Sequence, residues 1–160
     1  MYRLTEAFPY LLNRVGVRMG ELFSRRLAAE DLTLAMYRAL AALWEADEQR
    51  LSDLAAVISV EQSTLSRMIG TLVRRGLVSR HRPESNSRTV QIRLTPKGRE
   101  LVERYIPFAI QHEEISLQGF APEEVTRLKA SLDSVYHILD ALEAMLDRTD
   151  PHAVAQKAES

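Results

Sequence analysis

The segment of residues 61–94 constrains the fold most, because its apolar residues change from helical spacing to strand alternation. In the first half they recur at i, i+4, i+7 and i+8, which predicts a helix whose buried stripe is formed by Leu65, Ile69, Leu72 and Val73. Gly76 predicts the end of that helix. Residues 77–82 and 89–94 are β-prone, and PESNS between them is typical of a turn. We therefore expect a helix followed by a small two-stranded hairpin.

The helix face opposite this apolar stripe carries no bulky apolar residue. Short polar side chains and arginines can reach a base edge or a phosphate when a helix lies in the DNA major groove. On the hairpin, an arginine could follow a phosphate backbone or enter a narrow minor groove. A solvated surface is the alternative interpretation for any single arginine. The candidate DNA contacts are Gln62, Ser63, Thr64, Ser66, Arg67, Arg74, Arg82 and Arg88.

The order of these segments resembles the winged helix-turn-helix of the MarR family of transcriptional regulators. A short helix (SDLAAVIS) is followed by a turn, the helix EQSTLSRMIGTLVRRG, the hairpin and LTPKG. The wing signature of that family, D-x-R, five residues and L-T, is present here as Asn86-Ser87-Arg88, TVQIR and Leu94-Thr95. The arginine is kept, but Asn86 replaces the acid and cannot form an ion pair with it.

The resemblance covers nearly the whole chain and implies a mainly α fold with a small β-hairpin wing. In that family the winged helix-turn-helix core is flanked by dimerisation helices. A single domain would then span residues 1–160, with the core at about 31–100, dimerisation helices at about 1–30 and 101–148, and a frayed tail at 149–160. The length of 160 residues and the hydrophobic content of 46% also fit one domain.

Charge is distributed unevenly along the chain, although the formal net charge is only −1. Residues 50–100 contain ten Lys or Arg and four Asp or Glu, so this segment carries +6 and the remainder −7. A basic centre between acidic flanks is typical of a protein that binds a polyanion. Double-stranded DNA is therefore the expected partner, and a twofold dimer would bind a pseudo-palindrome with half-sites about 10 bp apart.

Several function classes are excluded by what the sequence lacks. The absence of cysteine excludes disulfides, thiolate metal sites, thiol nucleophiles and the cysteine-based oxidant sensing found in some members of the family. The four histidines show no metal-ligand spacing, so no metal or cofactor is expected. The sequence also contains no arrangement of nucleophile, base and acid that would indicate an enzyme. Without an apolar run of about 18 residues or a signal peptide, the chain is expected to be cytoplasmic.

The last helix carries an apolar seam whose members step by three and four residues, as in a heptad pattern. A seam of this length requires a partner helix, which one chain could supply itself. The first helix and the helix that follows Thr95-Pro96 are amphipathic too, and pairing of two chains would also use them, so we expect a homodimer. The seam consists of Val125, Leu128, Leu132, Val135, Leu139, Leu142 and Leu146.

The first helix, at about residues 5–29, carries arginines that a solvated face explains most simply. The resemblance implies a second interpretation, because the family has a ligand pocket beside this helix. Arg18 is then a candidate anion contact, and an apolar slot with one cation suits a small aromatic carboxylate or a larger acyl conjugate with its charged end at the entrance. The candidate pocket residues are Asn13, Arg14, Val17, Arg18, Met36, Tyr37 and Leu40.

Two functions of different kinds follow. The first is a sequence-specific DNA-binding transcriptional regulator, expected to be a homodimeric repressor that a small-molecule effector releases from its operator. The second is a winged-helix scaffold for protein–protein contacts, which predicts an apolar recognition face.

Three local features are also predicted: Ser52 as an N-cap, a helix start at Thr95-Pro96, and His112 as a hydrogen-bonded packing residue rather than a ligand contact.

Overall fold

The computed structural model describes residues 2–82 and 89–149. Two compact units divide the chain at Ser116. Within these ranges the first unit contains five α-helices and three short strands: α1 (Phe8–Leu27), α2 (Leu34–Glu45), β1 (Gln49–Arg50), α3 (Leu51–Val57), α4 (Gln62–Arg74), β2 (Val78–His81), β3 (Gln91–Leu94) and α5 (Pro96–Ser116). The second unit contains α6 (Pro122–Thr149). None of these helices, within the described ranges, is long and apolar enough to cross a membrane.

The helix-turn-helix is formed by α3, a turn and α4, as the sequence predicts. The turn contains Ser59, whose φ of 54° is left-handed. The buried stripe of α4 differs from the prediction, because Val73 is 37% exposed whereas Met68 is buried. Helical spacing of i, i+3, i+4 and i+7 describes this stripe better. It consists of Leu65, Met68, Ile69 and Leu72.

The wing contains three strands rather than the expected two. The sheet order is β1-β3-β2 and both pairs are antiparallel, with Val78 opposite Leu94 and Gln49 opposite Ile92. Strand β1 has only two residues, which is too short to produce a visible alternation. Ile92 and Leu94 are buried while Arg93 between them is exposed, as the alternation predicts. The wing signature residues Asn86, Ser87 and Arg88 lie outside the described residues.

The start of α3 corrects the Ser52 prediction. Arg50 occupies the N-cap position without a side-chain capping bond, and Ser52 lies inside the helix, where its hydroxyl contacts Asp53 at 3.1 Å. Because β1 pairs with β3 up to Arg50, the strand passes directly into the helix and leaves no free turn for a serine cap.

The start of α5 agrees with the sequence. Thr95 Oγ1 accepts a hydrogen bond from the Gly98 amide at 3.0 Å and donates to the Gly76 carbonyl at 2.6 Å. This single hydroxyl therefore caps α5 and fixes it to the chain that leaves α4. The wing and α4 thus share one anchor.

In the second unit, α6 is a single helix of 28 residues. The leucines of the predicted seam are exposed, from 36% at Leu132 to 59% at Leu146, and Val125 and Val135 are half-buried. Larger apolar side chains rarely form such a strip on a monomeric protein surface.

Candidate DNA interface and ligand cavity

The outer face of α4 is polar and accessible. Gln62, Ser63, Thr64, Arg67 and Arg74 are exposed, and Ser66 is half-buried. Gly70 lies between the two arginines, so no Cβ raises the surface there. The exposure of this polar face agrees with the sequence pattern, and its contact with a DNA groove stays a prediction.

The two arginines of α4 differ in their freedom. Arg74 donates to the Thr71 hydroxyl at 2.9 Å, which ties its guanidinium back onto the helix. The guanidinium of Arg67 has no hydrogen bond or ion pair with any residue of the described ranges, so all its donors are available to a partner. Free Arg67 is suited to a base edge, while Arg74 is suited to a fixed contact such as a phosphate.

A cleft of about 490 Å³ lies between α4 and the wing. Ser66, Arg80 and Arg82 contribute polar groups to it, and its floor includes Val90 and Ile92. The cleft brings two predicted DNA contacts, Ser66 and Arg82, to the same place. Arg88, a third predicted contact, lies outside the described residues.

The C-terminal end of α4 is tied to the segment that joins α1 and α2. The Arg75 guanidinium donates to the Asp31 carbonyl at 3.0 Å and to the Glu30 carbonyl at 2.5 Å. The Arg75 carbonyl in turn accepts from Lys97 Nζ at 3.1 Å. We name this set of contacts the Arg75 clamp; the sequence pattern does not predict it, because its acceptors are backbone atoms.

Two adjoining cavities lie beside α1 and α2. The larger, about 870 Å³, is lined by Asn13, Gly16, Val17, Gly20, Glu21, Ser24, Arg25, Leu34 and Arg38. The smaller, about 250 Å³, is lined by Gly16, Met19, Gly20, Phe23, Leu34, Tyr37, Arg38, Ala109 and His112. A Cβ at Gly16 would meet no atom within 4 Å, so the space beside this residue is open. At Gly20 the missing side chain instead lets Leu34 pack closely, since a Cβ there would lie 2.9 Å from Leu34 Cδ2.

The predicted pocket residues are distributed unequally over this region. Asn13 and Val17 line the larger cavity and Tyr37 lines the smaller one. Four others line neither: Arg14, Arg18, Met36 and Leu40. Leu40 is fully buried in the core, and Arg18 is exposed with Glu21 at 3.6 Å. Their role as ligand contacts stays a prediction.

The sequence interpretation missed Arg38, which lines both cavities. Its guanidinium makes no hydrogen bond or ion pair within the described part of the chain. Among the described residues that line the smaller cavity, it is also the one Lys, Arg, Asp or Glu. An arginine on a helix surface resembles a solvated residue in sequence, so only the neighbouring space distinguishes it.

Aromatic rings form one wall of the smaller cavity. Phe23 packs on Tyr37 with ring centroids 4.9 Å apart, and Tyr37 packs on Tyr105 at 6.4 Å. Burial raises the pKa of Tyr37 above its ordinary value, because the phenolate would be desolvated. The hydroxyl of Tyr37 is therefore a neutral donor or acceptor at physiological pH.

The sequence and the fold of this chain are similar to those of known proteins. A sequence model of the MarR family matches residues 32–90. The chain is 31% identical to a MarR-family transcriptional regulator from Silicibacter pomeroyi, whose crystal structure gives a TM-score of 0.74 over 94% of each chain. It is 29% identical to BpsR of Bordetella bronchiseptica, with a TM-score of 0.77 over 85% of this chain and 97% of that one. The DNA binding of BpsR is regulated by 6-hydroxynicotinic acid. The chain is also 29% identical over 138 residues to the HTH-type transcriptional repressor IacR of Pseudomonas putida, covering 86% of this chain and 83% of the relative.

Proposed function

This chain belongs to the MarR family of winged helix-turn-helix transcriptional regulators, and we propose that it is a homodimeric repressor that a small aromatic acid releases from its operator. Members of this family are regulators rather than enzymes. The expectation of DNA binding rests on the exposed polar face of α4, with Arg67 as its free guanidinium. A protein–protein scaffold would instead use an apolar face at this position.

Binding to duplex DNA at several salt concentrations tests the DNA-binding proposal. Arg67→Ala should lose about 1–3 kcal/mol of preference for the operator over a scrambled duplex, because a guanidinium contact to a base edge is removed. The wing variant Arg82→Ala is the matched control and should weaken binding to both duplexes equally, with a shallower salt dependence. An equal loss on both duplexes for Arg67→Ala would contradict the assignment of this face.

The effector proposal rests on the smaller cavity, where one cation adjoins an aromatic wall. A planar aromatic acid can pack on Phe23 and Tyr37 while its carboxylate accepts two hydrogen bonds from Arg38. The larger cavity is lined by Glu21 as well as Arg25 and Arg38, and no aromatic ring is among its described lining residues, so it is less suited to a planar aromatic acid. The relative BpsR responds to a heteroaromatic carboxylic acid, 6-hydroxynicotinic acid, which supports this ligand class for the present chain.

Thermal unfolding and operator binding in the presence of aromatic acids test this assignment. We expect such acids to raise the Tm and lower operator affinity, and Arg38→Gln to abolish both effects without changing DNA binding in their absence. Arg18→Gln provides the comparison, because Arg18 is the anion contact that the sequence predicts. If Arg18→Gln lost both effects while Arg38→Gln still showed them, the contact with the ligand carboxylate would be assigned to Arg18 instead of Arg38.

A further inference from the structure

The wall of the smaller cavity contains a ring whose proton position is fixed by the fold. His112 lies half-buried on α5, and its Nε2 lies 3.0 Å from the carbonyl oxygen of Met19 on α1. A carbonyl oxygen can only accept a hydrogen bond, so Nε2 must donate and must carry the ring proton. In the neutral ring, Nδ1 is then unprotonated and is a hydrogen-bond acceptor.

The other contacts of His112 hold the ring in place without using Nδ1. The ring stacks on Phe23, with centroids 5.7 Å apart and planes inclined by 28°. Nδ1 has no hydrogen-bond partner among residues 2–82 and 89–149. Since His112 lines the cavity, Nδ1 is the one nitrogen of this ring that a molecule bound there could use.

We propose that His112 makes this regulator selective for aromatic acids that also carry a hydrogen-bond donor, such as a phenolic hydroxyl or a ring N–H. The inference rests on the proposed function, in which Arg38 holds the carboxylate. Arg38 has donors only, whereas neutral His112 offers an acceptor to the ligand, so the two groups require opposite partners. A carboxylate satisfies Arg38 but cannot satisfy Nδ1. An acid without a donor therefore leaves Nδ1 desolvated and unpaired.

The test compares 3- and 4-hydroxybenzoate with 3- and 4-fluorobenzoate, which have similar size and no donor. Calorimetry on the full chain at pH 8 should show at least one hydroxy acid binding about 5- to 10-fold more tightly than its fluoro counterpart. In His112→Gln this ratio should fall below about 2-fold. The glutamine amide can still donate to the Met19 carbonyl, but it places no acceptor where Nδ1 lies.

Nitrogen-15 NMR of the imidazoles provides a readout that a packing role would not change. A bound hydroxy acid should shift the Nδ1 resonance of His112 upfield as it accepts the hydrogen bond, while the fluoro acid should leave it unchanged. His112→Phe, which removes both ring nitrogens, should bind the two kinds of acid equally if it folds.

The outcomes separate this inference from the proposal on which it rests. Equal affinity for hydroxy and fluoro acids, or a preference that survives in His112→Gln, would overturn the inference and leave the acid site intact. In the second case another group, such as the Tyr37 hydroxyl, would be the acceptor. If none of the four acids binds the unmodified protein, both the inference and the effector site are overturned.

Discussion

Gly98, the glycine of LTPKG, lies where the start of α5 passes the chain that leaves the recognition helix. A Cβ at this position would overlap the carbonyl oxygen of Leu77 and come within 2.9 Å of its carbonyl carbon. Both are backbone atoms whose neighbours are held by Thr95, so the clash cannot be relieved by a side-chain movement. Gly98→Ala should therefore lower the free energy of unfolding by about 3 kcal/mol or more, measured by urea denaturation.

Gly16→Ala is the matched control for Gly98→Ala. Gly16 is also helical, but a Cβ there would meet nothing within 4 Å. Alanine should raise the free energy of unfolding by up to about 1 kcal/mol, because it has the higher helix propensity. If the two variants were equally stable, the inferred close approach of Gly98 to the Leu77 carbonyl would be wrong.

Single-residue roles could be predicted from the sequence where the pattern that indicates them lies close by in the chain. The cap at Thr95 and the hydrogen bond of His112 were both predicted, and both are confirmed by contacts in the structure. The overlap at Gly98 and the position of Arg38 beside a cavity were not predicted. Both depend on what a distant segment places next to the residue, and neither glycine nor a surface arginine has a distinctive pattern in one sequence.

Among the elements, the Arg75 clamp connects the end of α4 with the junction between α1 and α2, the two helices beside the cavities. The two carbonyls that Arg75 contacts belong to the junction between α1 and α2, and Asp31 there has a left-handed φ of 48°. A movement of α1 against α2 on effector binding would therefore be transmitted to the end of α4. The coupling proposed here needs such a physical connection between the two sites.

Arg75→Met should weaken the coupling between acid binding and operator binding more than it weakens either binding reaction alone. The variant keeps an apolar stem but removes the donors to two carbonyls, which should cost about 1–3 kcal/mol of stability. The ratio of operator Kd values with and without a saturating aromatic acid should fall toward 1, while the affinity for the acid itself is retained. Fluorescence anisotropy of labelled operator measures this ratio.

Arg104→Met is the control for the clamp. Among residues 2–82 and 89–149, Arg104 pairs only with the Glu30 side chain, at 3.2 Å, and both partners of this ion pair are partly exposed. A surface pair contributes at most about 1 kcal/mol, so its loss should leave the Kd ratio nearly unchanged. A similar fall in the ratio for both variants would assign the effect to general loosening of this region rather than to the clamp.

The elements themselves were predicted unequally from the sequence. The helices α4, α5 and α6 have long apolar periods, and each was expected close to its observed position. Strand β1 was missed because its two residues gain their structure only by pairing with β3. Val73 was assigned to the buried stripe by its apolar side chain, although the helical period carries it toward solvent. Periodicity thus predicts elements better than it predicts the contacts between them.

For the whole molecule, the proposed release from DNA would require more than a bound acid. The acid must bind more tightly to the conformation whose recognition helices do not match the groove spacing, because equal affinity for both conformations shifts neither population. Such a mismatch has meaning only for two recognition helices at a fixed separation. The regulatory proposal therefore depends on a dimer that exists independently of the operator.

The seam of α6 gives the prediction for that dimer. Leu132 and Leu139 are 36% and 56% exposed, although they belong to a regular apolar strip that a second helix could cover. Sedimentation at micromolar concentration without DNA should give twice the mass of one chain. Replacing both leucines by Asp would place two unpaired charges in that interface, so the variant should sediment as a monomer or unfold.

The control is Ala130→Asp with Ser134→Asp, which adds the same charge to the same helix away from the seam and should remain dimeric. A stable dimer from the leucine variant, still able to bind operator, would refute the proposed interface.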